Sequence, residues 1–383
     1  MFILRKQKRK PLQLSVVVYA LLMLSVIFLS CGNSSGKVTE LHMQQHVDTL
    51  KIKSENIFRI YVSKITAPNG NDSILLILDK SSSLLYKVDT TNHIVDVDTL
   101  PRTVTADLKA VTYYKGGYWV QNGETFNFFS EGAFKTTPKT YTFINADKYA
   151  YLSTISEFKI DKEGSFLIYC IPKISNVIDA AGRNKYFSSK LAHKGIIEKG
   201  ATLIKTNPLP EVTFPERYRK FYYNDMYPIF CSFGDSIIST TQYSDSISLI
   251  VGGKNEFYTI PKEFSVIASA IHEAHVQSRT ELDTYFAMHS SNVKLLNYKQ
   301  KILLFQSIGA NKYYDEQTGM LNDYLSLEKR IIVFDMVKKQ FESTAYKLPA
   351  NCVPGKSCIF NGKLVIISTD ETRREISVFP TIL

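Results

Sequence analysis

The sequence predicts an all-β protein, and three observations carry that prediction. A turn signal followed by a short apolar or β-branched run recurs six times along the chain. Most of these runs lead, after another polar turn, into a strand-like segment of alternating character, such as Leu84-Leu85-Tyr86-Lys87-Val88-Asp89 or Ile247-Ser248-Leu249-Ile250. The 23 Tyr and 23 Phe are residue types that favour a pleated, half-buried surface.

The six units appear in the following order. Asn71-Asp72 precedes Ser73-Ile74-Leu75-Leu76-Ile77-Leu78, and Lys115-Gly116-Gly117 precedes Tyr118-Trp119-Val120. Asp161-Lys162-Glu163-Gly164 precedes Ser165-Phe166-Leu167-Ile168-Tyr169, and Phe233-Gly234-Asp235 precedes Ser236-Ile237-Ile238-Ser239-Thr240. Asn297-Tyr298-Lys299-Gln300 precedes Lys301-Ile302-Leu303-Leu304-Phe305, and Phe360-Asn361-Gly362 precedes Lys363-Leu364-Val365-Ile366-Ile367. Some units continue into a third strand, such as Ile94-Val95-Asp96-Val97 or Glu256-Phe257-Tyr258-Thr259-Ile260.

A meander of three or four antiparallel strands, repeated about every 45 to 70 residues, is the pattern of a β-propeller blade. The uninterrupted apolar run is an inner strand buried on both faces, and the outer strands alternate. Six copies argue for six blades. A pair of β-sandwiches explains the strands but not their even recurrence. One Trp excludes a repeated WD signature, and the pairs Gly116-Gly117 and Gly252-Gly253 are too few for kelch repeats. Residues 171–222, with Pro172, Pro208, Pro210 and Pro215, read as a long loop or insertion. Residues 262–290 have room for a short helix, because Phe264, Ile267, Ile271, Ala274 and His275 fall near helical spacing.

Ahead of the repeats stands an export signal. Arg5, Lys6, Lys8, Arg9 and Lys10 form a positive cluster, and an apolar run from Leu12 to Leu29 follows. It ends Phe28-Leu29-Ser30-Cys31, then turns polar with Gly32-Asn33-Ser34-Ser35-Gly36, the form of a lipobox at which cleavage exposes Cys31 for lipid attachment. An uncleaved membrane anchor and ordinary secretion are the competing readings, since roughly 18 apolar residues is close to what spans a bilayer. The expected organisation is therefore a signal peptide over 1–30, a lipidated N-terminus and linker over 31–55, and a propeller domain over 56–383.

The net charge of +10 suggests an acidic partner, but five of those positives leave with the signal, so the mature chain carries +5. Much of the remainder lies between Lys173 and Lys220, where ten basic residues face four acidic ones, and reads first as a solvated loop. Export argues against nucleic acid as a partner. Cys170, Cys231, Cys352 and Cys358 are too few for a disulfide framework, although Cys352 and Cys358 could bridge a short loop, and no CxxC pair suggests zinc.

The lipobox-like start, the six repeats, and the wording Gly234-Asp235-Ser236-Ile237-Ile238-Ser239 then Tyr243-Ser244-Asp245-Ser246-Ile247 resemble uncharacterised six-bladed propeller lipoproteins of Bacteroidota-type bacteria. The resemblance covers most of the mature chain. It implies a fold and an envelope location, and brings no catalytic residues. The charged tag that such bacteria place after the cysteine of surface lipoproteins is missing from Gly32 to Gly36, which favours the periplasmic side of the outer membrane.

Candidate chemistry is sparse. His272-Glu273-Ala274-His275 is one residue short of the zincin spacing; His272 and His275 could share a metal on a helix, with His289 or Glu281 as a third ligand, but a solvated helix or loop face is the simpler reading. Pro354-Gly355-Lys356-Ser357 mimics the end of a phosphate loop, yet Ala350 stands where glycine is required, so it reads as a hairpin loop. No G-x-S-x-G nucleophile elbow occurs. Aromatic and basic residues crowd between Phe214 and Tyr227, and Arg217, Tyr218, Arg219, Tyr222 and Tyr223 are the binding candidates, with strand-entry packing as the alternative explanation.

Together these readings give a monomeric, lipid-anchored envelope protein whose propeller binds a glycan, a peptide or an envelope protein, with no catalytic residue and no cofactor implied. A polysaccharide hydrolase or lyase with its site on the loop face is the alternative.

Overall fold

The computed structural model describes residues 36–381 apart from 42–48, 55, 57–58, 67–71, 131–133, 153–157, 174–178, 190, 211, 213, 221–226, 267–278, 311–324, 350 and 371–372. Two compact units divide the chain, Met1–Lys37 and Val38–Leu383. The second is all-β with a propeller-like arrangement of sheets.

Two strands open it, β1 (Lys37–Glu40) and β2 (Leu50–Lys53). Four antiparallel strands follow, β3 (Ile60–Thr66), β4 (Asp72–Asp79), β5 (Leu84–Val88) and β6 (Ile94–Thr99). The second meander is β7 (Leu108–Tyr113), β8 (Gly117–Asn122), β9 (Thr125–Ser130) and β10 (Lys139–Phe143); the third is β11 (Tyr149–Leu152), β12 (Ser165–Pro172), β13 (Ala192–Ile196) and β14 (Leu203–Pro208). The fourth comprises β15 (Pro228–Phe233), β16 (Ser236–Thr241), β17 (Ser246–Val251) and β18 (Lys254–Thr259). The fifth comprises β19 (Ser291–Tyr298), β20 (Lys301–Ser307), β21 (Lys329–Asp335) and β22 (Gln340–Lys347), with β1 added beside β22. Last come β23 (Cys358–Phe360), β24 (Lys363–Asp370) and β25 (Glu375–Thr381), whose sheet is completed by β2 from the other end of the chain.

Each of the six apolar runs is the second strand of its meander: β4, β8, β12, β16, β20 and β24. Flanked by strands on both sides and by sheets on both faces, such a strand has no polar surface to present. The core confirms this placement, because successive sheets share apolar clusters. Leu76 and Leu78 of β4 meet Tyr118 and Val120 of β8, while Leu75 and Ile77, on the other face of β4, meet Val365 and Ile367 of β24. The last sheet thus packs against the first, and β23 touches β3. A strand lent by the N-terminus to the final sheet stops the ring from opening, since it ties the two ends of the chain by main-chain hydrogen bonds.

The second and third meanders are further joined along their outer strands, where β10 and β14 pair through Thr142↔Leu203 and Phe143↔Ile204. Fourth strands of consecutive meanders run in the same direction, so this pairing is parallel. Between these two sheets lies an aromatic core of Trp119, Phe126, Phe143, Tyr151, Phe158 and Phe166, with the Phe143 and Tyr151 rings stacked at 4.0 Å.

Several sequence expectations change. Leu50–Lys53, read as linker, is β2. The supposed loop over 171–222 contains β13, β14 and the helix Ala180–Ser188, which Asp179 caps by accepting a 2.6 Å hydrogen bond from the Gly182 N–H. Ala192 and Gly195 leave β13 no apolar run of its own; the Phe166 ring of β12 occupies the space a side chain at 195 would need. Cys352 and Cys358 are not joined, because they face opposite ways: Cys352 packs between the fifth and sixth sheets and Cys358 between the sixth and first. Burial pushes the Cys352 thiol up to about 11. The basic surplus of the third meander is partly paired at the surface, Lys205 with Glu198 at 2.8 Å and Lys220 with Glu216 at 2.9 Å.

Candidate functional site

In an up-and-down meander the turns joining strands one to two and three to four lie at one end. Connections from two to three, and from one meander to the next, lie at the other. The six turn signals of the sequence all fall at the first end. Asn361 and Gly362 both adopt positive φ, 48° and 69°, as a two-residue hairpin of the I′ kind requires. The opposite end carries every helix of the described residues: α1 (Arg102–Thr105), α2 (Ala180–Ser188), α3 (Arg217–Lys220) and α4 (Arg279–Met288), with 3-10 turns at Lys262–Phe264 and Pro354–Lys356. A rigid ring with its elaborations gathered at one end has one face suited to recognition.

Three of these helices are bound together by rings. Tyr169 of β12, Phe187 of α2, Phe214, Tyr218 of α3, Tyr243 and Tyr285 of α4 form one buried cluster. Within it Tyr243 meets Tyr285 edge-on at 5.8 Å, Phe187 meets Phe214 at 5.2 Å, and the Tyr169 and Tyr186 hydroxyls hydrogen-bond to each other. Burial holds the Tyr169 hydroxyl well above its ordinary value. Tyr218 is therefore core rather than contact surface, 0 % exposed, with its hydroxyl 3.0 Å from that of Thr241. Arg219 is exposed on the outer side of α3, and Lys220 beside it is also exposed. The Arg217 side chain, Tyr222 and Tyr223 lie outside the described residues, as do His272 and His275. Of the residues at helical spacing between 262 and 290, Phe264 ends a 3-10 turn and Ile267, Ile271, Ala274 and His275 lie outside the described residues; the helix described in this stretch, α4, is at Arg279–Met288, beyond them.

Beside this cluster lies a cleft of about 210 Å³, lined by Val212, Phe214 and Pro215 on one side and by Ser239, Thr241, Ser244, Ser246, Ser248 and Phe257 on the other. Pairing puts Ser239, Ser248 and Phe257 in one row across β16, β17 and β18. The residue types break the pattern of their strands: Ile237 is followed on the same face by Ser239 and Thr241, and Ile250 is preceded by Ser248 and Ser246. Hydroxyls where a two-sided sheet should carry aliphatic groups were the signal in the sequence that could have found this site.

A buried polar bridge holds the turn above the cleft. The Asn292 amide donates to the carbonyls of Thr241 (2.9 Å) and Ser244 (3.0 Å), and its oxygen accepts from Gln306 Nε2 at 3.0 Å. Gln306 in turn accepts from Arg330 Nε at 2.8 Å. Arg330 lies over the Phe264 ring, and burial lowers its affinity for a proton.

Among the described residues no group of three or more His, Cys, Asp or Glu is placed to hold a metal ion. Each described carboxylate with a shifted proton affinity is held low, Asp96 first by its hydrogen bond from Lys87 and Glu256 first by that from Lys339. A glycosidic general acid needs a carboxyl held high. A larger but shallower hollow of about 660 Å³ lies at α1, along Asn122, Asn127 and Phe134 to Pro138. Lys356, of the phosphate-loop mimic, sits in a 3-10 turn with its ammonium 4.8 Å from the Tyr61 ring centre. Burial, then the charge of Lys294, bring its proton affinity down to about 8.

No protein-family model matches the chain, and no curated protein matches it. Among solved structures, a member of the DUF4221 family from Bacteroides vulgatus aligns with a TM-score of 0.63 at 12% identity, over 89% of this chain and 97% of that one. A Bacteroides fragilis protein described as exported aligns at 0.45 and 11% identity, over 90% and 99%. Regucalcin, a calcium-binding protein of Agrobacterium tumefaciens, aligns at 0.44 and 8% identity, over 90% and 95%. The first of these likenesses shows the fold.

Proposed function

We propose that this chain is an interaction module of the cell envelope, held to the periplasmic side of the outer membrane by lipid on Cys31. Its helix-bearing end binds a glycan, a peptide or another envelope protein. One observation supports this above the rest: a closed ring of sheets gathers its helices at one end, next to a cleft lined by hydroxyls and rings without a charged side chain among the described residues. Such a surface offers hydrogen bonds and flat apolar contact, which serve binding. The polysaccharide hydrolase or lyase reading has no described carboxyl in the cleft to draw on. No helix of the described residues is long and apolar enough to cross a membrane.

Two measurements test the reading. Mutation of Cys31 to Ala followed by fractionation should move the protein out of the membrane fraction; retention there would mean that lipid on Cys31 was never the anchor. Immobilised full-length protein should retain a component of an envelope extract, either glycan or polypeptide. Failure to retain anything would remove the interaction reading.

A further inference from the structure

The cleft beside Phe257 carries a more specific conclusion. The face that β16, β17 and β18 turn towards the third meander is apolar at one end, where Ile237 and Ile250 pair and pack near Leu167 and Phe230. At the helix-bearing end the same face becomes hydroxylic. Buried hydroxyls need partners, and most have them: Thr241 has Tyr218, Ser244 donates to the Ser246 carbonyl at 3.1 Å, and Ser248 donates to Asn255 Oδ1 at 3.3 Å. Ser239 makes no side-chain hydrogen bond within the described residues, so its hydroxyl can both donate to and accept from a ligand. Phe257, on the outermost strand of this sheet, lines the cleft while leaving 63 % of its surface exposed. Phe214 and Pro215 stand on the other wall.

Size and charge narrow the ligand. At about 210 Å³ the cleft lies below the roughly 300 Å³ at which drug-sized sites begin, so it takes one ring rather than an extended chain. With no charged side chain among its described lining residues it offers an ionised group no partner there, and burying an unpaired charge is unfavourable. A ring that is neutral, apolar on one face and hydroxylated at its rim matches an exposed aromatic face beside convergent Ser and Thr side chains.

We propose that this cleft binds a single neutral sugar unit of a glycan, with the Phe257 ring against the C–H face of the sugar and Ser239, Ser246 and Ser248 meeting its hydroxyls. The proposal rests on the interaction reading above and names the class of ligand for it. Peptide recognition would want main-chain donors and acceptors in a row, whereas the lining here is side-chain hydroxyl and ring.

The test uses the full chain purified in a detergent without a sugar headgroup. Saturation-transfer NMR is recorded with the methyl glycosides of glucose, galactose, mannose and N-acetylglucosamine, with glucuronate as a charged comparison and Ala-Phe-Ala as a peptide. At least one neutral glycoside should bind in the millimolar range expected of a one-ring ligand, with glucuronate and the peptide silent. Phe257→Ala removes an exposed ring and leaves the core intact, and should weaken binding roughly three- to tenfold, the worth of one ring contact. Ser239→Ala removes the hydroxyl without adding an atom to the cleft, and should weaken it as well.

Silence from all four neutral glycosides, a signal undiminished in both variants, or binding of the peptide in their place would overturn the proposal. If the glycosides fail while an envelope component is still retained, only the sugar assignment is lost. If neither binds, the interaction reading falls with it.

Discussion

Replacing Asn292 by Ala tests the account of how the turn above the cleft is held. The side chain is fully buried and makes three hydrogen bonds, to the Thr241 carbonyl, the Ser244 carbonyl and the Gln306 amide. Alanine keeps the main-chain bond from the Asn292 N–H to the Gln242 carbonyl, 2.7 Å, and deletes the other three. Two carbonyls and one amide hydrogen then lose a partner. Buried orphans cost about 1–3 kcal/mol each, but the Thr241 carbonyl keeps the Ser244 N–H at 3.3 Å, Gln306 retains its bond to the Phe264 carbonyl and the turn can relax, so the expected loss is about 2–4 kcal/mol in total. Urea unfolding followed through Trp119, the single tryptophan and itself buried, reads the change. With a slope near 3 kcal/mol per molar, the midpoint should fall by about 1 M. Asn292→Asp preserves shape but cannot donate, and turns a carboxylate towards two carbonyls, so it should fall at least as far. Midpoints within about 0.2 M of wild type for both variants would refute the reasoning, because the turn would then be held by something else.

Two further outcomes follow from particular contacts. Lys356 has its proton affinity brought down from 10.5 to about 8, so between pH 8 and 10 the unfolded chain binds more protons than the folded one, and stability should rise with pH across that window. Lys356→Met should flatten the rise and add about 1–3 kcal/mol at pH 7 in urea titrations; an unchanged pH profile would contradict the burial argument. Gly195→Ala should destabilise by about 1–3 kcal/mol, because its methyl group overlaps the Phe166 ring, itself confined by Phe126 and Phe158 at 5.4 and 5.5 Å. Adding Phe166→Leu should recover part of the loss, and a harmless Gly195→Ala would mean that the ring moves freely.

What the sequence determined by itself was the part governed by local rules. The period of alternation, the apolar runs and the turn residues located β4, β8, β12, β16, β20 and β24, because a strand buried on both faces must be apolar whatever surrounds it. Turns such as Asn361-Gly362 were legible for the same reason, since φ above zero selects those residues wherever the chain goes. Strands whose side chains answer to distant neighbours were not legible. β13 looks like loop because Phe166 fills its surface for it, and β2 looks like linker because its partner, β25, lies more than 300 residues away. The same limit governed the site. Tyr218 carries every mark of a binding residue in sequence, and only packing against Phe187, Phe214 and Thr241 makes it a support. Ser239, Ser248 and Phe257 are unremarkable one at a time, and tertiary structure alone decided that they form one row opening on one cleft, since register and facing sheet are properties no single strand contains.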